Sequence, residues 1–160
     1  MNRSVCLSAL LALALTACSK EAAPAGGTPP APAGGTLLVE GTDMMQYTVK
    51  QLTVKAGQQV KILFKNTGSM PKAAMGHNLV VLKPGVAAMT FGPLCMASGT
   101  VANGYVPEDV MKDVIAHTKL LGPGEFDTIE FMAPATPGTL EYVCTFPGHF
   151  GTMNGKITVE

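Results

Sequence analysis

The sequence carries little charge. Eleven Lys and Arg stand against eleven Asp and Glu, and charged residues make up only 14% of the 160. No run of one sign is long enough to form a basic patch for nucleic acid or a strongly acidic face. Histidine is scarce, with His77, His117 and His149 the complete set. A catalytic site that needs many imidazoles is therefore excluded. Cysteine is limited to Cys6, Cys18, Cys95 and Cys144, too few for a disulfide-dense scaffold. The apolar run from Val5 to Leu15 falls short of the about 20 residues a membrane span needs. No internal repeat is visible.

What is present divides the chain into three. Arg3 precedes the apolar run, and Leu15-Thr16-Ala17-Cys18 follows it with small residues before a cysteine. This is the pattern of a secretory signal over residues 1–17. Its last four residues resemble the lipobox of bacterial lipoproteins, in which cleavage leaves Cys18 as the lipid-bearing first residue. Ser19 to Thr36 is almost wholly Ala, Pro, Gly, Ser and Thr, with Pro24, Pro29, Pro30 and Pro32 among paired glycines. Such a composition cannot form a core. Residues 18–36 read as a tether whose extended reach is at most roughly 60 Å.

From Leu37 the composition changes, and residues 37–160 form one domain of ordinary size. Short strand patterns recur at Leu37–Glu40, Met45–Val49, Leu52–Val54, Val60–Lys65, Asn78–Leu82, Asp127–Met132, Leu140–Cys144 and Lys156–Val159. In one of them Val60, Ile62 and Phe64 alternate with Lys61, Leu63 and Lys65, the period of a half-buried strand. Gly57, Gly68, Gly122-Pro123-Gly124 and Pro137-Gly138 punctuate the series. Many short strands at this spacing predict an all-β sandwich. A helical insertion has one place to sit, around residues 85–98, and Gly92-Pro93 is expected to interrupt it.

The chemistry concentrates near the end, in Cys144-Thr145-Phe146-Pro147-Gly148-His149-Phe150-Gly151-Thr152-Met153. Strand patterns flank this stretch, yet it is long for a hairpin loop, and it holds a thiol, an imidazole and a thioether. Those donors suit a soft metal, copper or zinc. A Cys and two His with a weak axial Met is the ligand set of electron-transfer copper. The second imidazole is available from Gly76-His77-Asn78, just before the apolar run Leu79-Val80-Val81-Leu82. Each residue has a plainer reading when taken alone: a core thiol, a turn histidine, a packing methionine in a chain with ten Met. Their joint spacing favours the metal.

Gly76-His77-Asn78 together with Cys144 to His149 and Met153 resembles the azurins, bacterial type 1 copper proteins of the cupredoxin family. Val114-Ile115-Ala116-His117-Thr118-Lys119-Leu120 and Met96-Ala97-Ser98-Gly99 extend the resemblance, which runs from about Leu37 onward. It implies a Greek-key sandwich and one copper ion held by His77, Cys144, His149 and Met153, with the Gly76 carbonyl as a weak further ligand. By the same resemblance Asn78 ties the two ligand loops, Thr145 lies in the shell around the ligands, and the Phe146 backbone N–H bonds to the Cys144 sulfur. His117 falls outside the copper shell. Met45, Met70, Met75, Phe146 and Pro147 would form an apolar docking patch around the His149 edge.

Departures from the family are equally specific. Azurins usually carry a disulfide near the N-terminus, and the matching positions near Gly35 and Gln58 lack cysteine. With Cys144 on a metal and Cys18 on lipid, Cys95 has no partner. A histidine and a tryptophan common near the core are replaced by Asn66 and Leu79. The implied function is a lipid-anchored, non-enzymatic carrier of single electrons, exported to the periplasm or cell surface, at the outer rather than the inner membrane. Its partners would be redox proteins such as c-type cytochromes or copper enzymes. The competing reading is copper buffering or delivery.

Overall fold

The computed structural model describes residues 35–160, with Met1 alone ahead of them. The signal, Cys18 and most of the tether lie outside the described residues. Among the described residues nine strands form two sheets: β1 (Thr36–Thr42), β2 (Gln46–Tyr47), β4 (Gln59–Asn66) and β7 (Phe126–Met132) in the order β2-β1-β4-β7, against β3 (Gln51–Val54), β5 (Val80–Leu82), β6 (Val114–His117), β8 (Gly138–Val143) and β9 (Asn154–Val159) in the order β3-β9-β8-β5-β6. Each sheet mixes directions. β1 runs parallel to β4 and β3 parallel to β9, while the other pairings are antiparallel.

Period-two burial follows from packing one sheet face on the other. Val60, Ile62 and Phe64 of β4 are all buried, facing Ile129 and Phe131 of β7 and Leu140, Tyr142 and Ile157 of the second sheet in one core. β5 breaks the alternation because both of its faces are covered. Leu79 and Val81 join the main core, whereas Val80 and Leu82 join a second cluster with Ala88, Phe91, Cys95, Val110 and Val143.

That second cluster is roofed by α2 (Ala88–Ser98), which runs straight through Gly92-Pro93. The expected interruption does not occur. Proline removes one backbone N–H and crowds the preceding turn, but Pro93 is exposed, so the freed carbonyl a turn earlier has access to water. Phe91 and Cys95, each 1% exposed or less, hold the helix from its other side. Two further helical pieces were not expected from sequence, α1 (Lys72–Met75) and a 3-10 segment (Glu108–Asp113). The expected strand over Met45–Val49 shrinks to β2. Met45 has φ 53° and closes a turn by donating its N–H to the Thr42 carbonyl at 3.0 Å. Among the described residues no helix is long and apolar enough to cross a membrane.

Candidate metal centre

Three segments converge at one end of the sandwich. His77 precedes β5 and is clamped by a two-way backbone bridge to Leu121, its N–H donating to the Leu121 carbonyl at 3.0 Å and its carbonyl accepting from Leu121 N–H at 2.7 Å. Cys144 directly follows β8, and its N–H donates to the Met153 carbonyl at 2.9 Å. His149 and Met153 sit in the β8–β9 loop, where the His149 carbonyl accepts from Thr152 at 3.1 Å and from Met153 at 2.8 Å. The turn before His149 passes through Gly148 at φ 82°, a left-handed conformation suited to glycine.

The donor atoms face one point. Cys144 Sγ lies 3.9 Å from Nδ1 of His77 and 3.6 Å from Nδ1 of His149, and the three ligand atoms lie within 4.8 Å of one another. The fit to a metal can be tested by triangulation. Bonds of about 2.0–2.1 Å to imidazole and about 2.3 Å to thiolate, opened by about 120°, place sulfur and nitrogen about 3.8 Å apart. The two measured separations bracket that value. Met153 is wholly buried beside them, its Cε and the Cδ2 of His77 both crowding Gly41 of β1.

The electrostatics of the cluster suit a cation. Burial lowers the pKa of both imidazoles, that of His149 to about 4, and the Thr42 backbone and Asp43 only partly offset this at His77. Both rings are therefore neutral at neutral pH, with lone pairs free to bind. His77 Nε2 is buried with no partner at hydrogen-bond geometry, so the neighbouring Thr42 carbonyl helps only weakly. Burial pushes the Cys144 thiol up to about 12, and the backbone N–H groups of Asn78 and Phe146 offset this only in part. A bound metal ion would hold this buried sulfur as the thiolate.

The surrounding residues hold this geometry. Asn78, fully buried, accepts from Thr145 N–H at 2.8 Å and donates to Thr145 Oγ1 at 2.7 Å and to the Gly104 carbonyl at 2.9 Å. Phe146 stacks at 4.6 Å on His149 and edge-on at 5.2 Å against Tyr105. Gly76 is buried against the Lys72 carbonyl and Leu120. His117 is exposed at the end of β6 and lies outside the cluster. On the rim, Met45 and Met70 are 37% and 41% exposed, Met75 is half-buried and Pro147 exposed. Asp43 joins the first two by accepting from Ser69 N–H, Ser69 Oγ and Met70 N–H.

Three contributors escaped the sequence reading. The Tyr47 hydroxyl donates to the Asn78 carbonyl at 2.7 Å, a tie that spans the sandwich. Gly41 leaves room for Met153 and His77, and a glycine inside a strand pattern was the available signal of close approach. Gly92 makes the corresponding space beneath Phe150 of the ligand loop.

One Cys, two His and a Met gathered in a dry pocket on a two-sheet β-sandwich define a mononuclear type 1 copper site. Residues 35–160 match the family described as copper binding proteins, plastocyanin/azurin family, and the chain belongs to it. Outer membrane protein H.8 of Neisseria gonorrhoeae is 42% identical over 123 residues, covering 76% of this chain and 65% of the relative. The chain thus spans less than two thirds of that protein's length. Azurin-2 of Alcaligenes xylosoxydans xylosoxydans is 41% identical, with 74% of this chain and 92% of the relative covered. A solved auracyanin from Roseiflexus castenholzii superposes with a TM-score of 0.70 at 34% identity over 81% of this chain and 98% of that one.

Proposed function

We propose that the chain is a lipid-anchored carrier of single electrons. The observation that carries this reading is the convergence of His77 Nδ1, Cys144 Sγ and His149 Nδ1 in a buried, prebuilt cluster. Copper bound there supplies a centre that accepts and releases one electron. His77, Cys144 and His149 would hold it, with Met153 and the Gly76 carbonyl as weaker donors. Asn78, Thr145 and Phe146 keep these donors in place. A rigid donor set moves little when charge changes, which favours transfer. His149, 3% exposed against none for His77, offers the edge nearest a partner. The rim of Met45, Met70, Met75 and Pro147, with Phe146 buried at 7% exposure beneath it, is apolar and suits brief docking of a c-type cytochrome or copper enzyme.

Residues 1–17 act as the export signal, Cys18 carries the lipid, and residues 18–36 tether the domain 37–160 to the membrane. Relatives named as an outer membrane protein support a periplasmic or surface location at the outer membrane. Loading the domain with Cu(II) should give an intense blue band that Cys144→Ser abolishes while the fold survives. A variant that stays blue would remove Cys144 from the site. Cys18→Ala should abolish labelling by radioactive fatty acid, and retained label would exclude this anchor. Reduction by a cytochrome, against transfer of the ion to a copper chelator, separates electron carriage from copper delivery.

A further inference from the structure

The residue after ligand His149 does not follow its neighbours. Phe150 leaves the loop and packs into the second cluster, beneath α2, rather than into the main core. It reaches there because Gly92 is bare. A β-carbon added to Gly92 would stand 2.5 Å from Phe150 Cβ and 2.7 Å from Cδ1, and closer still to Cγ. Glycine inside a helix is destabilising relative to alanine. Such a choice in front of a proline needs a local reason, and the aromatic ring is that reason.

The contact is braced on both sides. The Phe150 carbonyl accepts from Asn154 Nδ2 at 2.8 Å, fixing the loop to the start of β9. α2 is pinned at its first turn, where Ala88 N–H donates to Glu141 Oε2 at 2.7 Å, and in its middle by Phe91 and Cys95. His149 sits between this anchor and the Phe146 ring. Its backbone is hydrogen-bonded through both N–H and carbonyl.

We propose that Gly92 and Phe150 form a lock through which α2 sets the orientation of the His149 imidazole, making Phe150 a positioning residue for the copper site. The inference rests on His149 being a ligand. A helix on the flank of the sandwich thereby controls the ligand nearest the partner.

The test compares four variants, after the parent protein has first been shown to form the blue site. A parent that binds copper with no blue band would sink the ligand assignment itself. Given a blue parent, Phe150→Ala frees the loop and Gly92→Ala pushes the ring out, so both should shift the charge-transfer band ratio and the Cu(II) hyperfine splitting. Val110→Ala, which thins the same cluster but adjoins neither Gly92 nor the loop in sequence, should leave both signatures unchanged. The fourth, Gly92→Ala with Phe150→Leu, exchanges ring volume for a methyl group and should return the spectrum toward the parent. In the metal-free protein, amides of residues 149–153 should exchange about tenfold faster in Phe150→Ala, but not in Val110→Ala. Unchanged spectra in Phe150→Ala and Gly92→Ala, or equal shifts in Val110→Ala, would overturn the proposal. Should Phe150→Ala fail to fold, the Gly92→Ala spectrum and its rescue by Phe150→Leu decide alone.

Discussion

Removing the Asn78 side chain should cost more than any single ligand-neighbour substitution short of the ligands themselves. Asn78→Ala deletes three hydrogen bonds at once, to Thr145 N–H, Thr145 Oγ1 and the Gly104 carbonyl. Their losses are unequal. Thr145 is fully buried, so its orphaned N–H pays a full desolvation penalty of about 1–3 kcal/mol. Gly104 is half-buried and can recruit water, and the Thr145 hydroxyl can rotate, so these two lose about 1 kcal/mol each. The sum is about 3–5 kcal/mol, a large part of the about 5–15 kcal/mol that holds a domain together. At roughly 3–5 °C per kcal/mol for a domain of this size, the melting temperature should fall by roughly 10–25 °C. The assay is denaturant unfolding of the metal-free domain, because bound metal would mask the loss by mass action. The slope m should stay constant while the midpoint falls. Asn78→Asp is the sharper companion. It keeps the acceptor for Thr145 N–H but turns an oxygen toward the Gly104 carbonyl, and should destabilise as well. A loss below about 1 kcal/mol in Asn78→Ala would mean that the two ligand segments are held together by something else.

Gly41→Ala sets a β-carbon 2.8 Å from Met153 Cε and 3.2 Å from His77 Cδ2. It should cost about 1–3 kcal/mol in urea titration and distort the blue spectrum; an unchanged spectrum would show that Met153 yields freely. Met153→Leu should keep the colour and raise the reduction potential, since losing a weak donor disfavours Cu(II) more than Cu(I). Voltammetry giving an equal or lower potential would dismiss Met153 as axial ligand. Met70→Lys puts a charge on the apolar rim and should slow electron exchange with a protein partner, yet leave the rate with a small inorganic reductant alone. Stopped-flow rates equal to the parent's in both reactions would remove Met70 from the docking face.

The ligands were legible because metal chemistry restricts residue type, and Cys144, His149 and Met153 stand in one short stretch. β4 was legible because Val60, Ile62 and Phe64 repeat at the period of a sheet with one dry face. α2 was obscured by the local penalty of Gly92-Pro93, which is outweighed by packing in a cluster that includes Val143 and Phe150, far away in sequence. Tyr47 looked like one more strand residue. Its hydroxyl meets a carbonyl 31 positions away, and no local pattern encodes such a partner. β6 escaped because Ile115 and Ala116 are only half-buried and carry no clean alternation.

The place of β9 has a consequence for how this molecule comes into being. It lies between β3 and β8 in the five-stranded sheet, paired in parallel with one and antiparallel with the other. A chain emerging N-terminus first therefore exposes the facing edges of β3 and β8 until Asn154–Val159 arrives to fill the gap. Unfilled edges of this kind invite pairing between chains. Cys144, His149 and Met153 all precede that closing strand, so a nascent chain carries its thiol and imidazoles in an unfinished frame. Assembly of the metal pocket must then await the last strand of the domain, which separates biogenesis into a vulnerable open phase and a single closing step.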